Sequence, residues 1–338
     1  MRHLMIGLLM CSFLLTSIPT LAIEPIPKDS GFSGFVNVGV GYLSVKSNMI
    51  AGTDLGDFGK RTIGSIFDSP DSESDVLPLI SGELRYTFAT TRTQLFFGNE
   101  LEDYLRFDFA TQLGVRQELS GVGIFGVSYV FSAIPAEVWE DPYVVGRKRE
   151  KTDRTSSGLR LAYDKILGSD LQVEFTWRKI DIDDEFSGLT FLGLPVAQAE
   201  RLDREGDQFQ LELLYVFKLG EKHSLVPSFE YARFDLDGDA MSHHRARVAL
   251  THGYKMDRFS FITNVLYSYA DYDKRNPIYN KTQEDHRFGG SFSAFYHRLF
   301  NVEKLSLMGT IFAFKDNANI DFYEASAVGG GLSVLFRF

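Results

Sequence analysis

The 338-residue sequence contains little cysteine and little proline: one cysteine, Cys11, and 10 prolines. A single cysteine excludes a fold held together by disulfides, because a disulfide framework needs cysteines in pairs. Most prolines fall in segments that we predict to be loops, and no stretch rich in proline, glycine or serine divides the chain. These absences favour one domain over residues 23–338 that folds without disulfide bonds.

Long apolar runs are also missing, except at the N-terminus. There an apolar run from Leu4 to Leu15 follows Arg2 and precedes the small-residue site Thr20-Leu-Ala22. This order is typical of a secretory signal peptide, which we assign to residues 1–22. The run is too short for a membrane helix, and no later run is longer. If the mature chain spans a membrane, it must do so as a closed β-barrel.

Alternation of apolar and polar residues is abundant, as is expected for β-strands with two different faces. In 171–178 one face carries Leu171, Val173, Phe175 and Trp177, and the other carries Gln172, Glu174, Thr176 and Arg178. The sequence also holds 30 phenylalanines and 15 tyrosines. A mean hydropathy of −0.10 fits a barrel whose lipid-facing and lumen-facing residues alternate.

Turn and loop lengths predict the number of strands. Short links alternate with long ones along most of the chain, as in barrels with tight periplasmic turns and larger extracellular loops. The pattern predicts an all-β, antiparallel up-and-down barrel of fourteen strands. These are 32–46, 76–88, 92–99, 104–117, 122–134, 153–164, 171–183, 205–218, 223–235, 243–255, 259–272, 284–298, 304–316 and 321–338. The strand at 92–99 is the weakest, and losing one hairpin would leave twelve.

The last strand carries the most specific signal. Leu332, Val334, Phe336 and Phe338 share one face, and the chain ends on the aromatic residue. This strand resembles the C-terminal assembly signal of bacterial outer-membrane β-barrel proteins. The resemblance implies a porin-like protein of the Gram-negative outer membrane, with the barrel-assembly machinery, membrane lipids and lipopolysaccharide as partners. A family of uncharacterised function within this class would fit equally, since no functional motif is matched.

Polar strand positions predict the lining of the lumen. The predicted pore-lining residues are Glu83, Arg85, Arg106, Asp108, Arg116, Arg160, Glu174, Arg178, Glu212, Arg245, Arg247 and Arg287. Arginine exceeds carboxylate in this set, so we predict a channel for small hydrophilic solutes with a mild anion preference. The competing interpretation is that these charges pair across the lumen and neutralise one another.

Some strands are apolar on both faces. Their inward positions would carry Leu214, Val216, Val226, Ile262, Leu266, Met308, Phe312 and Phe314. They indicate either a path for hydrophobic solutes, a cover supplied by the apolar loop 184–204, or a shift in our assignment of the two faces at a bulge. A non-conducting structural or adhesion barrel is a further alternative. It would act through extracellular loops such as 47–75, which has several glycines and is predicted to be flexible and exposed.

Catalytic and metal-binding patterns are weak. The segment from Asp235 to His244 is rich in Asp and His, but His243 and His244 point to opposite sides of a strand and cannot serve one site together. The aspartates lack the spacing of a calcium loop. We therefore expect no enzyme activity, no cofactor, no metal and no nucleic-acid binding. The basic run Arg147-Lys148-Arg149 is interpreted as a solvated loop.

Overall fold

The computed structural model describes residues 24–99 and 111–338. The predicted signal peptide, Arg106 and Asp108 lie outside these ranges. The described strands are β1 (Gly31–Lys46), β2 (Ile50–Thr53), β3 (Gly56–Asp57), β4 (Ser72–Phe88), β5 (Thr93–Gly98), β6 (Thr111–Leu119), β7 (Gly123–Phe131), β8 (Ala136–Trp139), β9 (Lys151–Asp164), β10 (Leu171–Ile182), β11 (Gly206–Tyr215), β12 (Phe217–Leu219), β13 (His223–Leu236), β14 (His243–Lys255), β15 (Phe259–Asn276), β16 (Lys281–His297), β17 (Leu305–Ala318) and β18 (Ala325–Arg337). A one-turn helix, α1, spans Val196–Ala199.

The barrel is antiparallel and closed. Its wall consists of β1, β4–β7, β9 and β10, a strand made of β11 and β12 together, and β13–β18, which makes fourteen. Closure is made by β1 and β18, where Phe35 lies opposite Arg337 and Lys46 opposite Ser326. The prediction of fourteen strands is confirmed, including the weakest one, which is β5. The short strands β2, β3 and β8 lie in the loops.

The outer face of the wall is apolar. Val38, Ile80 and Leu113 are 53%, 67% and 57% exposed, and similar side chains surround the barrel. An apolar belt of this extent is stable in lipid and not in water. Within the described ranges, no helix is long and apolar enough to cross a membrane.

Aromatic side chains surround the end that carries the short turns, which is the periplasmic end in barrels of this type. Tyr86 and Phe88 contact edge to face with ring centroids 4.8 Å apart, and Tyr215 and Phe217 are 4.6 Å apart. Phe338 lies in the same girdle, with backbone hydrogen bonds of 3.1 and 3.2 Å to Gly34. Leu332, Val334 and Phe336 also face outward, as predicted. Their role in assembly stays a prediction.

The extracellular loops fold together over the barrel. Their buried side chains form one hydrophobic cluster, which we call the cap, made of Ile66, Tyr143, Leu202, Met241, Ile320, Phe322 and Tyr323. Leu192 and Leu194 of the apolar loop 184–204 pack against it, as do Ile278 and Tyr279. The cap therefore joins loops that are far apart along the chain into one packed layer.

The prediction that loop 47–75 is exposed holds only in part: Phe67 is 66% exposed, but other side chains of the loop are packed. Its flexibility stays a prediction. Ala51 and Phe58 are buried, and β2 pairs with β8 of another loop. Gly59 allows close packing: a Cβ atom there would lie 2.2 Å from the carbonyl oxygen of Ile50 and 2.8 Å from the ring of Trp139. Only a residue without a side chain fits between those groups.

Candidate functional site: the barrel lumen

The described pore-lining residues lie on the inner face of the wall. They alternate with the exposed apolar residues of the same strands, and several are buried, among them Glu83 and Arg160 at 4% exposure each. Their inward direction agrees with the sequence interpretation. Whether a solute passes along them is a separate question, because a lumen can be lined by charge and still be blocked.

Strand register aligns many of these charges in one ladder across the inner wall, which we call the charged belt. Directly paired residues in successive strands are Glu174, Glu212, Glu230, Arg247, Ser268, Arg287 and Asp316. Three glutamates therefore stand side by side, an arrangement that is destabilising unless cations neutralise it. Sequence alternation identified most of these residues but not their alignment, because alignment depends on register.

Arginines from the belt and the neighbouring rungs neutralise the carboxylates. Arg160 Nε donates to Glu174 Oε1 at 3.0 Å. The buried carboxylate of Glu230 accepts from Arg245 at 2.9 Å and from Arg247. Asp316 accepts from Arg287 Nε at 3.0 Å. The interpretation that inner charges pair with one another therefore holds for these side chains.

The N-terminal segment binds the inner wall near the periplasmic mouth. Arg85 bridges Glu83, at 2.7 Å, and Glu24. Arg116 donates to the backbone oxygen of Glu24 at 3.0 Å and to Asp164 at 3.3 Å. Arg92 donates to the carbonyl of the buried Ile26. Sequence analysis did not predict these contacts, because residues 24–30 have no strand pattern.

Inward apolar residues form a cluster on the inner wall from β11 round to β1. Its members are Phe35, Leu214, Val216, Val226, Ile262, Phe295, Met308 and Leu335. Continuous register along β13 and β14 excludes a shift of faces there. The predicted inward direction of the doubly apolar strands is therefore confirmed.

A cavity of about 260 Å³ lies between the cap side of the lumen and the charged belt. Arg245, Arg247, Arg287 and Asp316 line its polar side, and Leu266 and Phe314 contribute to its apolar side. Val45, Ser47 and Ile50, where β1 runs into the first loop, also line it. The cavity thus combines cationic and apolar surface.

Arg149 connects the loops of the cap, so its interpretation as part of a solvated run is wrong. It is 1% exposed, and its guanidinium donates to the carbonyls of Asn48 at 2.8 Å, Pro142 at 3.1 Å and Lys60. It also lies 4.2 Å from the ring centroid of Trp139. Burial lowers the pKa of Arg149 to about 9, so the side chain stays cationic at neutral pH. By contrast, Arg147 and Lys148 are exposed.

A buried tyrosine pair joins two further loops. The hydroxyls of Tyr143 and Tyr323 are 2.6 Å apart, and Asn276 Nδ2 donates to the Tyr323 hydroxyl at 2.8 Å. Burial raises the pKa of Tyr143 well above its ordinary value and that of Tyr323 to about 12. Both hydroxyls are therefore neutral and remain able to donate hydrogen bonds at physiological pH.

The histidines considered from the sequence do not meet in one site. His243 stacks between Phe234 and Tyr272, with centroids 4.3 and 4.5 Å away. His244 faces the other side and lies 2.6 Å from the hydroxyl of Tyr231. In residues 24–99 and 111–338, no group of three or more His, Cys, Asp or Glu side chains is arranged to hold a metal ion.

A closed barrel with an apolar outer belt, an aromatic girdle and a charged inner face defines an outer-membrane β-barrel protein. The chain belongs to the family described as "Protein of unknown function (DUF2860)", whose model matches residues 31–329. A comparison with curated proteins gives no match.

Several solved structures are similar over nearly their whole length. The COG4313 outer membrane channel from Pseudomonas putida F1 is 11% identical, covers 95% of this chain and 100% of its own, and has a TM-score of 0.45. A Pseudomonas aeruginosa FadL homologue is 12% identical, with coverages of 91% and 90% and a TM-score of 0.44. An anion-selective porin from Comamonas acidovorans is 10% identical, with coverages of 92% and 100% and a TM-score of 0.39.

Proposed function

We propose that the protein is an outer-membrane channel for small solutes, with a preference for anions, whose extracellular mouth is closed by the cap. The observation that carries the proposal is a difference in exposure within the ion pairs of Glu230 and Asp316, whereas the pair of Arg160 and Glu174 has the reverse order, at 4% and 13%. The side chains of Arg245, Arg247 and Arg287 are 24%, 26% and 47% exposed, whereas those of Glu230 and Asp316 are 1% and 12% exposed. A mobile ion therefore meets arginine before carboxylate.

Exposed cations in a narrow, low-dielectric lumen concentrate anions, because the field of a fixed charge is weakly screened there. The paired carboxylates reduce this effect without reversing it, since they lie behind the arginines. The preference should accordingly be mild. Passage also requires movement of the cap, where Arg149 donates to three backbone carbonyls of the loops.

The test is single-channel conductance of refolded protein in a planar bilayer under a salt gradient. We compare the wild type with Arg149→Ala and with the control Lys148→Ala, which removes the same charge from the neighbouring exposed position. We expect rare openings in the wild type and in Lys148→Ala, and frequent openings in Arg149→Ala. The reversal potential should be displaced toward that of the anion, and Arg287→Gln should reduce this displacement.

Silence from all three folded proteins would refute the channel, and a reversal potential on the cation side would refute the preference alone. Folding must be checked independently, because an unfolded barrel is also silent.

A second candidate, transport of hydrophobic solutes, is favoured by the apolar cluster on the inner wall. It predicts that an apolar molecule copurifies with protein extracted from native membranes. Mass spectrometry of the extract would detect it, and a clean spectrum would argue against this path.

A further inference from the structure

We infer that the cavity between the cap and the charged belt is a binding site for a small organic anion, with one carboxylate-type group on an apolar body about the size of an aromatic ring. The inference deepens the proposed function, on which it rests, by naming the chemical class of the anion. It is drawn from the composition, size and hydrogen-bonding state of the cavity wall.

The arginines on the polar side of the cavity have more N–H donors than the neighbouring carboxylates accept. A guanidinium carries five N–H donors, and Arg287 donates to Asp316 from Nε and Nη2. Arg245 and Arg247 share the single carboxylate of Glu230. Among the described residues, the Nε of Arg245 is buried without a hydrogen-bond partner. Two arginines on one carboxylate leave cationic charge that an incoming anion can neutralise.

The nearby carboxylates are largely engaged. Glu230 accepts from arginines through both oxygens, and Asp316 accepts from Arg287 through Oδ2, while its Oδ1 is buried without a partner among the described residues. Asp285 is on the same face as Arg287, two residues before it, and its two oxygens accept from Gln283 Nε2 at 2.9 and 3.0 Å. No other carboxylate is among the residues that line the cavity, in the part of the chain described. The wall therefore favours an anion over a cation.

The apolar side carries an aromatic ring that lies against a glycine of the neighbouring strand. Phe314 lies directly opposite Gly289, and a Cβ atom at Gly289 would be 2.3 Å from Cδ1 of Phe314. The missing side chain lets the phenyl ring lie against the wall, as aromatic residues do over glycines in neighbouring strands. Leu266 and Ala327 extend this surface.

The size of the cavity selects a ligand of modest bulk. A closed apolar cavity of roughly 150 Å³ accommodates benzene, and this one measures about 260 Å³. A ring with one short acidic substituent fits that volume. An ion without an apolar body would leave Leu266 and Phe314 uncovered, so the cavity should prefer an amphipathic anion to chloride.

The test is isothermal titration calorimetry of the refolded full-length mature chain in amphipol. The probes are benzoate, which is an anion, benzyl alcohol, which is neutral, and benzylamine, which is a cation; all three carry the same phenyl ring. We expect benzoate to bind, benzyl alcohol to bind more weakly, and benzylamine to give no signal. Losing one hydrogen bond to a charged group should weaken benzoate binding by roughly 10- to 100-fold in Arg287→Gln. Arg298→Gln, in an exposed turn at the other end of the barrel, is the matched control and should bind normally.

Phe314→Leu keeps an apolar side chain while removing the ring, and should weaken benzoate and benzyl alcohol equally. It keeps the inference testable if Arg287→Gln fails to fold. Equal binding of all three probes, or benzoate binding unaffected by both variants, would overturn the inference. If the wild-type protein conducts ions but does not bind benzoate, the inferred binding site is refuted and the proposed channel is retained. If it neither conducts ions nor binds benzoate, the proposed channel is refuted as well.

Discussion

Replacing Arg149 with alanine should loosen the cap while leaving the barrel wall intact. The substitution removes hydrogen bonds to three backbone carbonyls and the contact with Trp139 at 4.2 Å. Charged hydrogen bonds contribute about 1.5–3 kcal/mol each and a buried cation–π contact about 2 kcal/mol. The desolvation of the guanidinium offsets much of this sum. Each buried carbonyl left without its donor costs about 1–3 kcal/mol, so the substitution should cost about 3–5 kcal/mol net.

A cost of that size should raise the population of the open cap by roughly two to three and a half orders of magnitude. Hydrogen–deuterium exchange measured by mass spectrometry would detect it as faster exchange in peptides from residues 47–71 and 132–150. Peptides from β14 and β15 serve as internal controls, since they lie in the wall. Equal exchange in Arg149→Ala and Lys148→Ala would refute the assignment of Arg149 as the residue that connects the loops.

Four further predictions concern other residues of the cap and of the wall. Tyr143→Phe should destabilise the cap by about 1–2 kcal/mol, since it leaves the Tyr323 hydroxyl with one partner fewer, and a double-mutant cycle with Tyr323→Phe would measure the coupling. Burial raises the pKa values of both tyrosines above the ordinary 10. The stability that the pair contributes to the cap is therefore complete below pH 10 and declines as the pH rises toward about 12. Hydrogen exchange rates of cap peptides across that range would check the sign, and a cap that becomes more stable above pH 10 would contradict it. Gly289→Ala should cost about 1–3 kcal/mol, because its Cβ atom would lie 2.3 Å from Cδ1 of Phe314 and 2.5 Å from the backbone oxygen of Ala313. In urea unfolding, the double variant with Phe314→Ala should recover only part of the loss, since the backbone contact remains, and full recovery would contradict this reasoning. Phe338→Ala should lower the amount of folded barrel in the outer membrane while refolding in detergent stays unchanged, and equal losses in both settings would argue against an assembly signal.

The wall could be predicted from the sequence because local patterns determine it. The alternation in 171–178 and the tight turn between β4 and β5 report directly on which residues face lipid and where strands reverse. The partial error at residues 47–75 has the opposite origin. In the sequence alone, Gly59 indicates a flexible loop. Its close contact with Trp139, which belongs to a loop distant in sequence, is visible only in the folded protein.

The lumen was only partly predictable because its arrangement also depends on contacts between residues that are distant in sequence. Alternation places Glu212 and Arg287 on the inner face, but the ladder from Glu174 to Asp316 depends on the register of seven neighbouring strands, which alternation leaves open. Arg149 shows most clearly which features cannot be predicted from local sequence. Within a run of three basic residues, nothing local distinguishes the buried side chain from its two exposed neighbours.

The cap also affects how the barrel can be completed. Residue pairs such as Phe35 and Arg337 are nearly the whole chain apart, so the seam between first and last strands is the slowest contact to find during folding. Asn48 Nδ2, just after β1, donates to the carbonyl of Phe322, just before β18, at 3.2 Å, and Ser69 donates to Glu324 at 2.8 Å. These bonds fasten the two sides of the seam from the cell exterior. They can form only after the loops have crossed the membrane, so locking the seam should be the last event of biogenesis, and an early intermediate should still exchange or release its first strand.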